Sequence, residues 1–226
     1  MITRYVTNTH QITDTYKKIL LNGKDAKVKI KPSNDNSTKL EFFESKKRPY
    51  KFFIEDDTLI IKLSKTRWYH FFKISIDRSE ISLYVPKSTL ETISVRSNTG
   101  HVDLSSITCN GTIDIQINTG NINLDNIFCQ AFSSKGNTGC ITLKKLTATE
   151  SILIKRRTGN VSLNNSHAPE IFVKTNTGKV CGRLPSNIIF IIRTNTGKIE
   201  IPPTPIGESI GGRCEIKTNT GHIKFE

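Results

Sequence analysis

The tripeptide Asn-Thr-Gly, or a close variant, recurs along the second half of this chain and constrains its fold more than any other feature. Its glycines are Gly100, Gly120, Gly139, Gly159, Gly178, Gly197 and Gly221, at spacings of 20, 19, 20, 19, 19 and 24 residues. Thr precedes every one, and Asn precedes that Thr everywhere except at Arg157. Self-similarity at so regular a period marks stacked structural repeats. Two residues after each glycine stands Val or Ile (Val102, Ile122, Ile141, Val161, Val180, Ile199, Ile223). Four after it the residue is apolar in six copies, with Gly182 the exception. Seven and five residues before the glycine lie further apolar pairs, such as Ile93/Val95, Ile113/Ile115 and Ile152/Ile154. Such alternation describes two strands, each with one buried face.

Each coil therefore reads as strand, Asn-Thr-Gly turn, strand and a looser return. Glycine supplies the positive φ of a tight corner, and stacked Asn and Thr side chains can bond to their copies above and below. Coils whose equivalent positions are all apolar must stack in register, with parallel strands ~4.8 Å apart. The long last step holds Pro202, Pro203, Pro205 and the Gly207–Gly212 stretch, which reads as a bulging loop ahead of a closing coil.

Residues 1–90 lack the motif, yet Lys27–Ile30, Lys39–Phe43, Tyr50–Ile54, Leu59–Leu63, Phe72–Ile76 and Ile81–Val85 alternate as strands between turn signals. Terminal coils of solenoids are atypical because they cover the end of the core. Residues 3–20 fit a short helix or an extended arm. The expectation is an all-β, single-chain β-solenoid, β-helix-like, with coils of about 19–20 residues. An N-terminal arm and β cap over 1–90 runs continuously into the repetitive solenoid of 91–226.

At 226 residues the chain can bury a substantial core. It has no run of eighteen apolar residues, so no transmembrane segment is expected, and Met1 to Lys18 lacks the apolar stretch of a leader. The five cysteines (Cys109, Cys129, Cys140, Cys181, Cys214) form no CxxC pair, and an odd number cannot pair fully within one chain. Reduced thiols and a cytoplasmic location are the expectation. The net charge of +13 is shared, with 18 Lys+Arg against 10 Asp+Glu in residues 1–90 and 15 against 10 in the rest. Such a chain attracts nucleic acid, anionic lipid or acidic polymers.

The repeated T-G-x-[V/I]-x-[L/I] coils, preceded by Asp25–Ser33 (DAKVKIKPS) and Ile81–Lys87 (ISLYVPK), resemble the bacterial "putative adhesin" or toast-rack β-strand repeat proteins. Gly211–Ile216, followed by Thr220-Gly221-His222-Ile223, fits the same pattern, so the resemblance covers about residues 20–226. It implies a non-enzymatic domain, often at the cell envelope and near envelope-stress regulators, and it carries no catalytic residues over.

Some parallel β-helices are carbohydrate-active enzymes, which need close carboxylates. Aligned in sequence order, Asp103 and Glu200 share a coil position five coils apart, as do Asp114 and Glu215. His101 and His222 fall on the first and last motif, too far apart for a shared metal. No P-loop, Rossmann fingerprint or nucleophile elbow is present, so no catalytic residue, metal or small-molecule cofactor is expected. Cys109 and Cys129, on adjacent coils, should be neighbours. Lys65–Lys73 (KTRWYHFFK), with the lone Trp68, suits either an end plug or a binding loop.

The outward column four residues before the glycines is Arg96, Gln116, Lys135, Lys155, Lys174, Arg193 and Lys217. Stacked like charges repel, so stability alone does not favour this column. Beside it, Leu153, Phe172 and Ile191 read as an exposed apolar row. The candidate binding residues are accordingly Lys135, Lys155, Lys174, Arg193, Leu153, Phe172 and Ile191. The partner would be an unknown protein, an acidic polymer (nucleic acid or anionic envelope polymer) or a second copy of the chain. The reading is a non-catalytic binding or scaffolding module, with polyanion binding through the basic column as the alternative and a carbohydrate-active enzyme behind both.

Overall fold

The structure, a computed structural model, describes residues 5–64, 79–87, 90–203 and 211–226. Among these the chain is all-β, without a helix. The N-terminal strands are β1 (Tyr5–Ile12), β2 (Lys18–Lys24), β3 (Lys27–Pro32), β4 (Thr38–Ser45), β5 (Tyr50–Glu55), β6 (Thr58–Leu63) and β7 (Glu80–Val85). The repeats begin with β8 (Leu90–Thr99) and three long strands, β9 (Val102–Thr119), β10 (Ile122–Thr138) and β11 (Ile141–Thr158). Shorter ones follow: β12 (Val161–Asn164), β13 (Glu170–Thr177), β14 (Val180–Arg183), β15 (Ile188–Thr196), β16 (Ile199–Glu200), β17 (Gly212–Thr220) and β18 (Ile223–Phe225). The segment 3–20, left open between helix and arm, forms β1 over residues 5–12 and begins β2 at Lys18. The expected strand Phe72–Ile76 and the Trp68 loop lie outside the described residues.

The repeats stack as parallel strands in register: Val102, Ile122, Ile141 and Val161 pair in succession, as do Ile113, Phe132, Ile152 and Ile171. The β-solenoid expected from the period is the fold. Its core comprises the alternating columns read from the sequence, all buried in the central coils. The return departs from expectation. In β9, β10 and β11 it is strand, not loose loop, and contributes a third inward pair: Ile107/Cys109, Ile127/Cys129 and Leu146/Ala148. What bends each coil is a residue of positive φ six positions after the glycine, namely Ser106, Asn126, Lys145 and Asn165. Three are Asn or Ser, whose short polar side chains make such corners less costly.

The order of coils also differs from the order of sequence, at both ends. β17 lies between β13 and β15, and β18 between β14 and β16, all parallel. The coil of residues 212–225 is therefore inserted one layer inward, and the outermost layer is β15–β16. Its alternation fits the core equally well at either place, because Cys214 and Ile216 are buried. At the other end β2 sits between β6 and β8, and β3 between β7 and β9. Ile19, Leu21, Val28 and Ile30 thus continue the columns of Ile93, Val95, Val102 and Leu104. Beyond β6–β7 the strands turn antiparallel: β5 on β6, β4 on β7, and β1 on β4. Buried Glu44 links these strands, accepting from Asn8 Nδ2 at 2.7 Å and from the Tyr50 amide at 2.5 Å.

Candidate binding surface

The cations four residues before each glycine point outward because their neighbours on either side point in. Register places them in one line along the stack. Gln116 pairs with Arg96 and Lys135, Lys135 with Lys155, Lys155 with Lys174, Lys174 with Lys217, and Lys217 with Arg193. The inserted coil thus puts Lys217 between Lys174 and Arg193, making five successive cationic layers about 4.8 Å apart.

The apolar row is not continuous. Leu153 pairs with Phe172, but Phe172 then meets Glu215, and only Glu215 meets Ile191. The expected adjacency of Phe172 and Ile191 is therefore overturned by the coil order. All three apolar side chains are half-buried. Lys155 and Lys217 lie over the Phe172 ring, 5.9 and 5.3 Å from its centre, a cation–π arrangement that anchors both amines. Glu215 binds Lys217 at 2.6 Å and Arg213 at 3.0 Å. Those cations hold its carboxyl below the usual carboxylate range.

One cation escaped the sequence reading. Arg156 is 4% exposed, one residue past the outward column and facing in. Its Nη1 donates to the Ile117 carbonyl at 2.9 Å, two coils away, and its Nη2 to Ser134 Oγ at 3.1 Å. Its Nε has no partner, and burial lowers its pKa to about 10. Gly136 makes the room, since a Cβ there would overlap Nη1. The signal was present as a pair: an inward Arg on one coil opposite a Gly on the next.

The turn ladder is partly visible. Asn118 Nδ2 donates to Asn98 Oδ1 at 3.3 Å, and Asn137 Nδ2 to Asn118 Oδ1 at 2.6 Å, before Arg157 interrupts. The residue just after the glycine has its own task. His101 Nδ1 accepts from the Asn121 amide, and His222 Nδ1 from the Lys198 amide. Both histidines thus satisfy backbone donors on the neighbouring coil.

Six turn glycines have φ between +131° and +155°; Gly221 is not among them. All five cysteines are free; Cys109, Cys129 and Cys214 are buried, and Cys140 is exposed. Burial pushes Cys129 up to about 12, with the adjacent Cys109 adding to the rise.

Following the real coil order, Asp103 and Glu200 are six layers apart and Asp114 and Glu215 four. Those separations are roughly 29 and 19 Å, beyond the reach of a shared acid–base site. Among the described residues no three His, Cys, Asp or Glu side chains are grouped to hold a metal ion. No helix among them is long and apolar enough to cross a membrane.

Solved structures share this architecture. A putative adhesin from Bacteroides fragilis NCTC 9343 is 18% identical, with a TM-score of 0.53 over 99% of this chain and 97% of that one. A putative adhesin from Parabacteroides distasonis ATCC 8503 is 12% identical, with a TM-score of 0.52 over 99% of this chain and 98% of the other. At such identities the likeness establishes the fold alone. No curated protein matches the chain. The family profile described as Toastrack DUF4097 matches residues 16–226, which takes in every coil described above. With nearly the whole stack inside that match, the chain belongs to the Toastrack DUF4097 family.

Proposed function

We propose that this chain is a non-catalytic binding module that engages an acidic partner along its cationic column. The supporting observation is the run Lys135, Lys155, Lys174, Lys217 and Arg193 on successive layers, with no carboxylate in the line. Repulsion within such a line is relieved by a partner of opposite charge. The wide separation of the matched carboxylates supports a binding role over hydrolysis. Glu215, set between Phe172 and Ile191, weakens the case for an apolar dimer contact there.

The test is charge reversal. Changing Lys135, Lys155, Lys174 and Arg193 to Glu should lower association with polyglutamate or heparin mainly through the on-rate. The difference from the parent should shrink as salt approaches ~0.5 M, where the Debye length is only ~4 Å. Equal on-rates for parent and variant at low salt would reject the column as the binding surface. Loss of a dimer on Phe172→Glu, seen by light scattering, would favour self-association instead.

A further inference from the structure

The cationic line does not stop at Lys135. Toward the N-terminal end it runs into a shallow, open groove of about 470 Å³, lined by Lys24, Arg96, Lys135, Asn22, Asn98, Gln116 and their neighbours. The inserted β2–β3 coil builds one end of this groove, since Asn22 pairs with Arg96 and Lys24 with Ser97. Lys24, Arg96 and Lys135 are exposed, and none has an ion-pair partner among the described residues. No carboxylate among the described residues lines it; Asp114 accepts from Gln116 Nε2 at 2.8 Å and Asp25 from Thr99 Oγ1 at 2.8 Å.

Behind the wall sits a fourth cation. Gly136 and Ile117 line the groove, and the Arg156 guanidinium lies directly against both. It is almost wholly buried, with no carboxylate among the described residues bound to it and its Nε–H unpartnered. A buried, unpaired charge is costly unless something of opposite sign is brought near. A second concave region, about 500 Å³ around Lys179, Lys198 and His222, differs in this respect. It contains Glu200, which pairs with Lys224 at 3.6 Å.

From these observations we infer that the groove over Gly136 binds an extended, carboxylated polysaccharide, with Lys24, Arg96 and Lys135 on its carboxylates and Asn22, Asn98 and Gln116 on its hydroxyls. This rests on the reading of the column as an anion-binding surface and names the ligand class. Its lining comes from four successive layers, β2, β8, β9 and β10, so the groove crosses the stack and accommodates an extended chain. Its amides offer donors and acceptors side by side, which suits vicinal hydroxyls. Among the described residues no aromatic ring lines it, whereas single-stranded nucleic acid is held by stacking on such rings. A sugar residue in an extended chain advances by about one strand spacing, so successive sugars keep step with successive coils.

The experiment is calorimetric titration of the full chain with oligogalacturonate at ~0.1 M salt, where charges still act over ~10 Å. Neutral cello-oligosaccharide, oligo-dT and polyglutamate serve as comparisons. Oligogalacturonate should bind most tightly, and Lys24→Gln/Arg96→Gln/Lys135→Gln should weaken it about tenfold or more. Lys179→Gln/Lys198→Gln/Lys224→Gln should leave it unchanged. In NMR spectra the Arg156 Nε–H resonance should move with oligogalacturonate and stay fixed with the neutral sugar. Equal or tighter binding of oligo-dT or polyglutamate, or an Arg156 resonance that does not respond, would overturn the inference. If instead only Lys155→Gln/Lys174→Gln/Lys217→Gln weakens binding, the groove is wrong while the column stands. Absence of binding to every acidic polymer would remove both.

Discussion

A side chain on Gly139 would overlap the carbonyl of Gly120, and one on Gly159 would overlap that of Gly139. Each also has a φ above +130°. Two separate demands, backbone conformation and coil-to-coil closeness, therefore fall on the same atoms. Gly139→Val or Gly159→Val should cost at least about 2 kcal/mol, measured as a shift in the denaturant midpoint at constant slope. Unchanged midpoints would mean the turns tolerate a Cβ. The Gly136–Arg156 pair is a different case, a glycine whose missing side chain houses a guanidinium from the next coil. Sequence periodicity pointed to the first kind because it repeats. It gave no sign of the second, which occurs once and depends on reading two coils side by side. The groove was hidden for a related reason: Lys24 precedes the repeats by about seventy residues and reaches Arg96 only through the inserted coil.

At the scale of strands, the apolar columns were legible because alternation and the ~20-residue period both survive translation along the stack. The partner of each strand was not. Cys214 and Ile216 face inward whichever coil lies beside them, so pattern alone leaves the coil order of the last two layers open. The return strands were missed because Ser105, Thr108 and Asn110 weaken the apolar signal around Ile107 and Cys109. Cross-linking decides the order directly. In Lys174→Cys/Lys217→Cys the two positions face each other across adjacent parallel strands, within the ~4.4–6.8 Å Cα range a disulfide accepts. Mild oxidation should join them, as a non-reducing digest would show. Phe172→Cys/Ile191→Cys, one layer too far apart, should stay unlinked. The opposite result would restore sequence order to the stack.

Across the whole molecule, stability should depend on pH through thiols that burial keeps protonated. Cys129 and Cys214 have pKa values of about 12 in the folded chain, against 9.0 for the ordinary thiol. The folded state therefore keeps their full contribution below pH 9 and loses it as pH climbs toward about 12. Thermal melts should fall over that window, and Cys129→Ala/Cys214→Ala should fall less steeply. Parallel curves would show that these thiols ionise alike in both states. The inserted coils carry a consequence in time. During synthesis β13–β14 leaves the ribosome well before β17–β18, yet it must be covered by that later coil and not by β15–β16, which appears in between. Its edge has to remain unpaired, or pair wrongly and release, until residues 212–225 have been made. Assembly of this end is thus tied to translation of the final strands, while β9, β10 and β11, whose neighbours follow in chain order, can zip as they emerge. That end of the stack can close only late.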